Sequence, residues 1–203
     1  MMLSLPAPEG VTHPPLLLAL HGNSSNARNF VRYWESAVDR GWLTVLPQSS
    51  QVFGPEAYVW NDLDLGASEI KAYYQELSET QGFDPARTIV GGFSKGGEMA
   101  LWLALKEIIP LAGFILVNPG GPLIREVDPW LPILENCQTR TEMRGFLVAG
   151  EHDANLEQIK ALCELLASHG LACDLLVAPG IAHDFPADFD QVLARALDFI
   201  GNP

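Results

Sequence analysis

Six short apolar runs, at residues 16–20, 43–46, 88–92, 114–117, 146–149 and 174–177, alternate with stretches in which apolar residues recur every three or four positions. Unbroken apolar runs of this length fit strands covered on both faces. The intervening periodicity fits amphipathic helices. Residues 27–40 put Phe30, Val31, Trp34 and Val38 on one face, and residues 67–79 do the same with Ile70, Tyr73, Tyr74 and Leu77. A further helix is expected over 156–168, with Asn155 as N-cap and Gly170 as its stop. The last, over 188–200, carries Val192, Leu193, Ala196 and Ile200. Repeated strand–helix–strand units predict an α/β fold, a doubly wound, mainly parallel sheet with helices on both faces, in one domain over 1–203.

No repeat, low-complexity tract or linker divides the chain. The longest irregular segment, 118–144, is rich in proline and carries Trp130, Leu131, Ile133 and Leu134. It reads equally as a functional loop or a packed surface excursion. A formal net charge of −13 argues against nucleic acid, whose phosphates call for Lys and Arg, and against acidic membrane surfaces. It says little about a small neutral ligand. The three cysteines show no metal-ligand spacing, so Cys137, Cys163 and Cys173 are expected as reduced thiols, the last two as core packing. The N-terminal MMLSLPAPEGV lacks a basic stretch followed by an apolar one, and run 16–20 is too short to span a bilayer. The expectation is a soluble cytoplasmic protein with no membrane insertion.

The candidate chemistry starts at Gly92-Phe93-Ser94-Lys95-Gly96, a Gly-x-Ser-x-Gly pattern between an expected strand and an expected helix over 97–105. In that context the glycines allow a sharp turn, and the serine hydroxyl projects at a helix N-terminus, where developing negative charge is favoured. The alternative is a glycine-rich turn with a serine cap. A serine nucleophile needs a base, and the base needs an orienting group. His183 follows the last strand and so shares the carboxyl edge of the sheet with Ser94. His13 reads as a surface residue and His169 as a helix-end residue, while His152 adjoins the candidate acid, where its neighbour is the better-placed group. Asp153, in Ala149-Gly150-Glu151-His152-Asp153, follows the strand at 146–149 and is the candidate acid. Glu151 is its main competitor; Asp184 and Asp188 are weaker. The order Ser94, Asp153, His183 makes a triad in which Asp153 holds the neutral His183 tautomer. His21-Gly22-Asn23 ends the first strong strand, and its turn can aim the Asn23 N–H at an oxyanion, with the Lys95 N–H as second donor. The bland reading is an ordinary turn with Asn23 or Ser24 capping the next helix. Because Asn23 and Ser94 must meet, the first and third strong strands are expected to flank the switch point of the sheet.

These pieces resemble the phospholipase/carboxylesterase group of α/β-hydrolases, which includes acyl-protein thioesterases, and more distantly the dienelactone hydrolases. The matching segments are Leu20-His21-Gly22, Asp84-Pro85 with Thr88 through Gly97, Gly150 through Asp153, and Gly180 through His183. Together they span residues 16 to about 200. Lys95 stands where the thioesterase branch usually has glutamine, and Ser94 where dienelactone hydrolases have cysteine. The short segment before the first strong strand leaves the early antiparallel strands abbreviated or absent. Tyr58-Val59-Trp60-Asn61-Asp62 looks like the family's aromatic segment beside the cleft.

The resemblance implies a compact α/β-hydrolase fold and a carboxylesterase acting through an acyl-enzyme on a small-molecule ester. A compact chain favours short to medium acyl groups. By position, Tyr58 and Trp60 after the second strand are the expected walls of the acyl site, with Trp130 in the long loop as a further candidate; the alternative is that these tryptophans seal the domain core. No metal or organic cofactor is implied. The alternatives are a thioesterase or lysophospholipase with the same triad, and a catalytically silent fold that binds a small molecule. Anionic CoA esters are disfavoured by the acidic chain unless a local cation such as Lys95 offsets it.

Overall fold

The computed structural model describes residues 1–201. In chain order the elements are β1 (Met2–Leu5), β2 (Pro15–Leu20), α1 (Ala27–Trp34), α2 (Ser36–Asp39), β3 (Leu43–Pro47), β4 (Val52–Gly54), β5 (Ala57–Tyr58), α3 (Leu63–Thr80), β6 (Asp84–Phe93) and α4 (Lys95–Leu105). They continue with β7 (Gly113–Val117), α5 (Pro122–Arg125), α6 (Trp130–Asn136), β8 (Arg144–Gly150), α7 (Leu156–Ser168), β9 (Ala172–Ala178) and α8 (Phe189–Gly201). Among the described residues, seven strands form one sheet in the order β1-β3-β2-β6-β7-β8-β9. All neighbours in it run parallel except β1, which pairs antiparallel with β3 as an abbreviated early strand. The chain winds outward from β2 to β3, then returns to the other side of β2 with β6. The switch point therefore lies between β2 and β6, the first and third of the strong apolar runs.

Alternation along each strand divides the core in two. Leu16, Leu18 and Leu20 of β2 face the layer of α3, α4 and α7, while Leu17 and Ala19 face α1 and α8. Strands β7 and β8 divide the same way: Phe114 and Leu147 join the first layer, Ile115 and Phe146 the second. Polar positions are nearly excluded from both faces of the central strands, which explains the unbroken apolar runs.

Three local expectations change. The helix expected over 27–40 breaks into α1 and α2 at Glu35, between Trp34, which lies against Gly91, and the buried Ala37. Its cap is Asn26, whose side chain accepts from the Asn29 N–H at 3.1 Å, rather than Asn23 or Ser24. The segment 118–144 is not one irregular loop, because α5 and α6 fold within it. Its Trp130 is 0% exposed, and the indole N–H donates to the Leu123 carbonyl at 2.7 Å, which pins α6 to α5. At the end of α7, Gly170 adopts φ 87°, the left-handed conformation that stops a helix at glycine. No helix among the described residues is long and apolar enough to cross a membrane.

Trp130 generates a stability prediction. Replacing a fully buried tryptophan by alanine costs about 3–5 kcal/mol, so Trp130→Ala should lower Tm by roughly 10 °C in a chain of this size. Thermal unfolding followed by circular dichroism measures it, and a fall under about 2 °C would mean that α6 is not held through this side chain.

Candidate functional site

Ser94 follows β6 and precedes α4 with backbone angles of φ 53° and ψ −121°. A non-glycine residue pays roughly 1–3 kcal/mol to sit there. The turn needs bare backbone on both sides. A Cβ on Gly92 would collide with the Gly96 carbonyl, and one on Gly96 would collide with the carbonyls of Leu20 and His21. The end of β2 therefore meets the start of α4 backbone to backbone. The Ser94 carbonyl accepts from Gly97, Glu98 and Gly120, and its N–H donates to Val117 at 3.0 Å.

Ser94 Oγ lies 2.8 Å from His183 Nε2, and His183 Nδ1 lies 2.6 Å from Asp153 Oδ2. The carboxylate accepts a hydrogen bond from the Nδ1–H, which leaves Nε2 as the acceptor for the serine hydroxyl. The Asp153 side chain is 1% exposed, whereas that of His183 is 39% exposed. The other carboxylate oxygen, Oδ1, accepts from the Asn155 N–H at 2.7 Å, so both oxygens of Asp153 are engaged. Asn155 stands at the N-cap of α7 as expected but makes no capping bond with its side chain. Glu151 is exposed and turned away, accepting from the Gly180 N–H at 2.8 Å. Asp153, not Glu151, is thus the carboxylate that reaches His183. Phe93 packs beside the imidazole at a ring separation of 5.1 Å, and a Cβ on Gly120 would stand 3.4 Å from Ser94 Oγ.

Lys95 is the first residue of α4, so its N–H has no acceptor within the helix. Among the described residues neither that N–H nor the N–H of Asn23 takes a backbone acceptor outside its own element. The Asn23 turn is shaped from beneath by His21, which is buried. Its Nδ1–H donates to the Gly22 carbonyl at 2.8 Å, and its Nε2 accepts from the Ser49 N–H at 3.3 Å and the Gln48 amide at 3.2 Å. Burial pushes the His21 imidazole down from 6.5 to about 4, only partly opposed by the bond to Gly22. The ring is therefore neutral at neutral pH. Nothing in the sequence flagged Gln48, which also accepts from the Ala27 N–H at the start of α1.

The Lys95 side chain is buried and paired with Glu98, which is fully buried and also accepts from the Leu123 N–H at 2.7 Å. It is not an open cation for an anionic ester. A Cβ on the adjacent Gly121, at φ 146°, would collide with the Glu98 carboxylate, so the chain after Gly120 is moulded around this pair. The Gly-Gly-Glu string after the serine was the available signal for Glu98.

The expected aromatic walls are corrected. Trp60 is 0% exposed; its indole N–H donates to the His21 carbonyl at 3.0 Å, and its ring packs against His21. Trp130 is equally buried between α5 and α6. Both are core residues, because following a strand decides the edge of the sheet and not the direction in which a side chain turns. Tyr58 is half-buried, and its backbone pairs with Ser25. It lines a cavity of about 140 Å³ with Asn26, Ala27 and Gln48, not with Ser94 or His183. A cavity of about 1130 Å³ lies at the opposite, amino edge of the sheet, lined by Pro15, Arg87, Ala112 and Met143 among others. Among the described residues no group of three or more His, Cys, Asp or Glu is placed to hold a metal ion.

No protein-family model matches the chain, and no curated protein matches it. Solved structures do. An uncharacterized protein from Bacillus cereus ATCC 10987 superposes with a TM-score of 0.85 at 31% identity, over 97% of this chain and 62% of that one. The chain thus spans less than two thirds of that protein's length. Esterase PE8 superposes with a TM-score of 0.80 at 23% identity, covering 98% of this chain and 97% of its own. The S-formylglutathione hydrolase FrmB from Staphylococcus aureus gives 0.74 at 15%, covering 99% and 92%.

His21 sets a pH dependence of stability. Its folded pKa lies below its unfolded one, so between pH 6.5 and about 4 the unfolded chain binds more protons. The stability it contributes is complete above pH 6.5 and is lost as pH falls toward 4. The loss is on the order of 3 kcal/mol. Urea unfolding across that window should show the slope in the native protein and a smaller one in His21→Gln. Equal slopes would remove His21 as the cause.

Proposed function

With the α/β-hydrolase fold as premise, we propose that this chain is a serine esterase that hydrolyses carboxylic esters of short to medium acyl groups through an acyl-enzyme. The observation that carries the reading is the unbroken hydrogen-bond chain from Asp153 through His183 to Ser94 Oγ, ending on a strained turn. Ser94 Oγ attacks the ester carbonyl while His183 Nε2 takes its proton. The charge on the carbonyl oxygen develops against the N–H groups of Asn23 and Lys95, and one such donor is worth roughly 3–4 kcal/mol. His183 then returns the proton to the leaving alcohol. A water molecule, deprotonated by the same imidazole, releases the acid and restores Ser94. Asp153 holds the reactive tautomer and stabilises the imidazolium. A silent binding fold has no need of this arrangement. The preference for short to medium acyl groups rests on the small size of the chain.

The test is hydrolysis of p-nitrophenyl esters of graded acyl length, with acyl thioesters alongside and a fluorophosphonate label on the nucleophile. The native protein should turn over the shorter esters and take the label. Ser94→Ala should lose both, since removal of a triad serine costs on the order of a millionfold in turnover. Asp153→Asn should be strongly slowed. Retention by folded Ser94→Ala of more than about a hundredth of native turnover would overturn the nucleophile assignment. Faster turnover of thioesters than of the matching esters would move the substrate class to thioesters.

A further inference from the structure

Asn118 is the first residue after β7, has φ 41°, and is 0% exposed. Its side-chain oxygen accepts from the Gly150 N–H at 2.7 Å, and its side-chain nitrogen donates to the Asp184 carbonyl at 2.6 Å. Its backbone N–H donates to Val148 of β8 at 2.7 Å. Gly150 ends β8, and its carbonyl accepts from the Asp153 N–H at 3.1 Å, so the turn bearing the carboxylate starts where Asn118 holds the strand. Asp184 adjoins His183 in sequence. One buried amide thus grips the segments that carry two of the three triad side chains and fixes both to the strand next to β6, which carries the third.

Building on the triad reading above, we propose that Asn118 is a positioning residue that sets His183 and Asp153 relative to Ser94. The two loops also touch directly on their outer side. The His152 N–H donates to Ile181 at 2.8 Å, and the Glu151 carboxylate accepts from Gly180. Those contacts tie the loops to each other, and the Glu151 N–H donates to Ala178 of the edge strand β9 at 2.9 Å, on the side of β8 away from Ser94. The asparagine side chain suits the inner task at this point. It offers one acceptor and one donor on a short stem, and asparagine tolerates the left-handed backbone. Leucine would match its size but leave a buried N–H and a buried carbonyl unpaired. Aspartate would keep the bond from Gly150 and set a carboxylate oxygen against the Asp184 carbonyl.

The experiment compares Asn118→Gly and Asn118→Asp with the native protein. Glycine accepts the positive φ and removes the side chain with both of its hydrogen bonds. Turnover is expressed per site titrated by a fluorophosphonate, so that misfolded molecules drop out. In Asn118→Gly, kcat per titrated site should fall about tenfold or more, as expected when a reacting group is misplaced by a fraction of an ångström. KM should stay within about twofold, because no substrate contact is lost. Asn118→Asp should fall as well, and a smaller loss there than in glycine would divide the effect between the two arms. An unchanged kcat per titrated site, or a raised KM at constant kcat, overturns the proposal. If Asn118→Gly does not fold, Asn118→Asp decides by the same criterion. Ser94→Ala runs in parallel. Should it stay active, the triad reading fails; should it be dead while both Asn118 variants match the native protein, only the positioning role fails.

Discussion

A serine held at φ 53° between two strands' ends and a helix organises the upper edge of this molecule. The conformation is unfavourable by itself and persists because its surroundings over-determine it. Three N–H groups converge on the Ser94 carbonyl, and the Ser94 N–H is taken by β7. The helix can begin at once because Gly92 and Gly96 have no side chains to separate the segments. The same close approach sets the His21 carbonyl against α4, which brings the Gly22-Asn23 turn to the helix start. Fold and candidate site share one requirement, backbone contact at the β2–β6 switch point.

The polar groups beneath this edge are satisfied internally. His21 uses both ring nitrogens on Gly22, Ser49 and Gln48. Its neutral form fits a buried position from which a charge would have to be desolvated. Lys95 and Glu98 neutralise each other in the core, and Glu98 also accepts from Leu123. Such a pair is weak support for stability, since desolvating both ions offsets much of their attraction. Its effect is geometric. It fixes the course of the chain from Gly121 to Leu123, and therefore of Gly120, which borders Ser94 Oγ.

The parts legible in the sequence were those written in short-range pattern. Unbroken apolar runs marked the strands of the parallel sheet, since strands covered on both faces tolerate few polar residues. Gly-x-Ser-x-Gly marked the turn, because the steric demand falls on fixed neighbours. His183 and Asp153 were legible because each follows a strand, and parallel strands deliver their ends to one edge. The helix break at Glu35 and the helices inside 118–144 carry no comparable period. Asn118 and Gln48 were invisible for a different reason. Their partners lie 32 and 66 residues away for Asn118, and 21 and 27 away for Gln48. Nothing local distinguishes a buried asparagine at a strand end from an ordinary turn residue.

Trp60 and Trp130 show the limit of reasoning from strand ends. Both emerge at the correct edge, yet both rings turn inward, and each indole N–H finds a backbone carbonyl within 3.0 Å. A buried tryptophan needs such a partner, and the carbonyls of His21 and Leu123 supply it. The consequence reaches the chemistry, because Trp60 braces His21 from below while Trp130 braces Leu123, the residue held by Glu98. The two large aromatics therefore act on the edge through the backbone they support, not as walls. What stands beside Ser94 and His183 includes the Phe93 ring, the bare backbone of Gly120 and the Asn155 side-chain amide. On the proposed esterase reading, discrimination between acyl groups then falls on these small surfaces and on whatever the substrate itself can cover at an imidazole left 39% exposed.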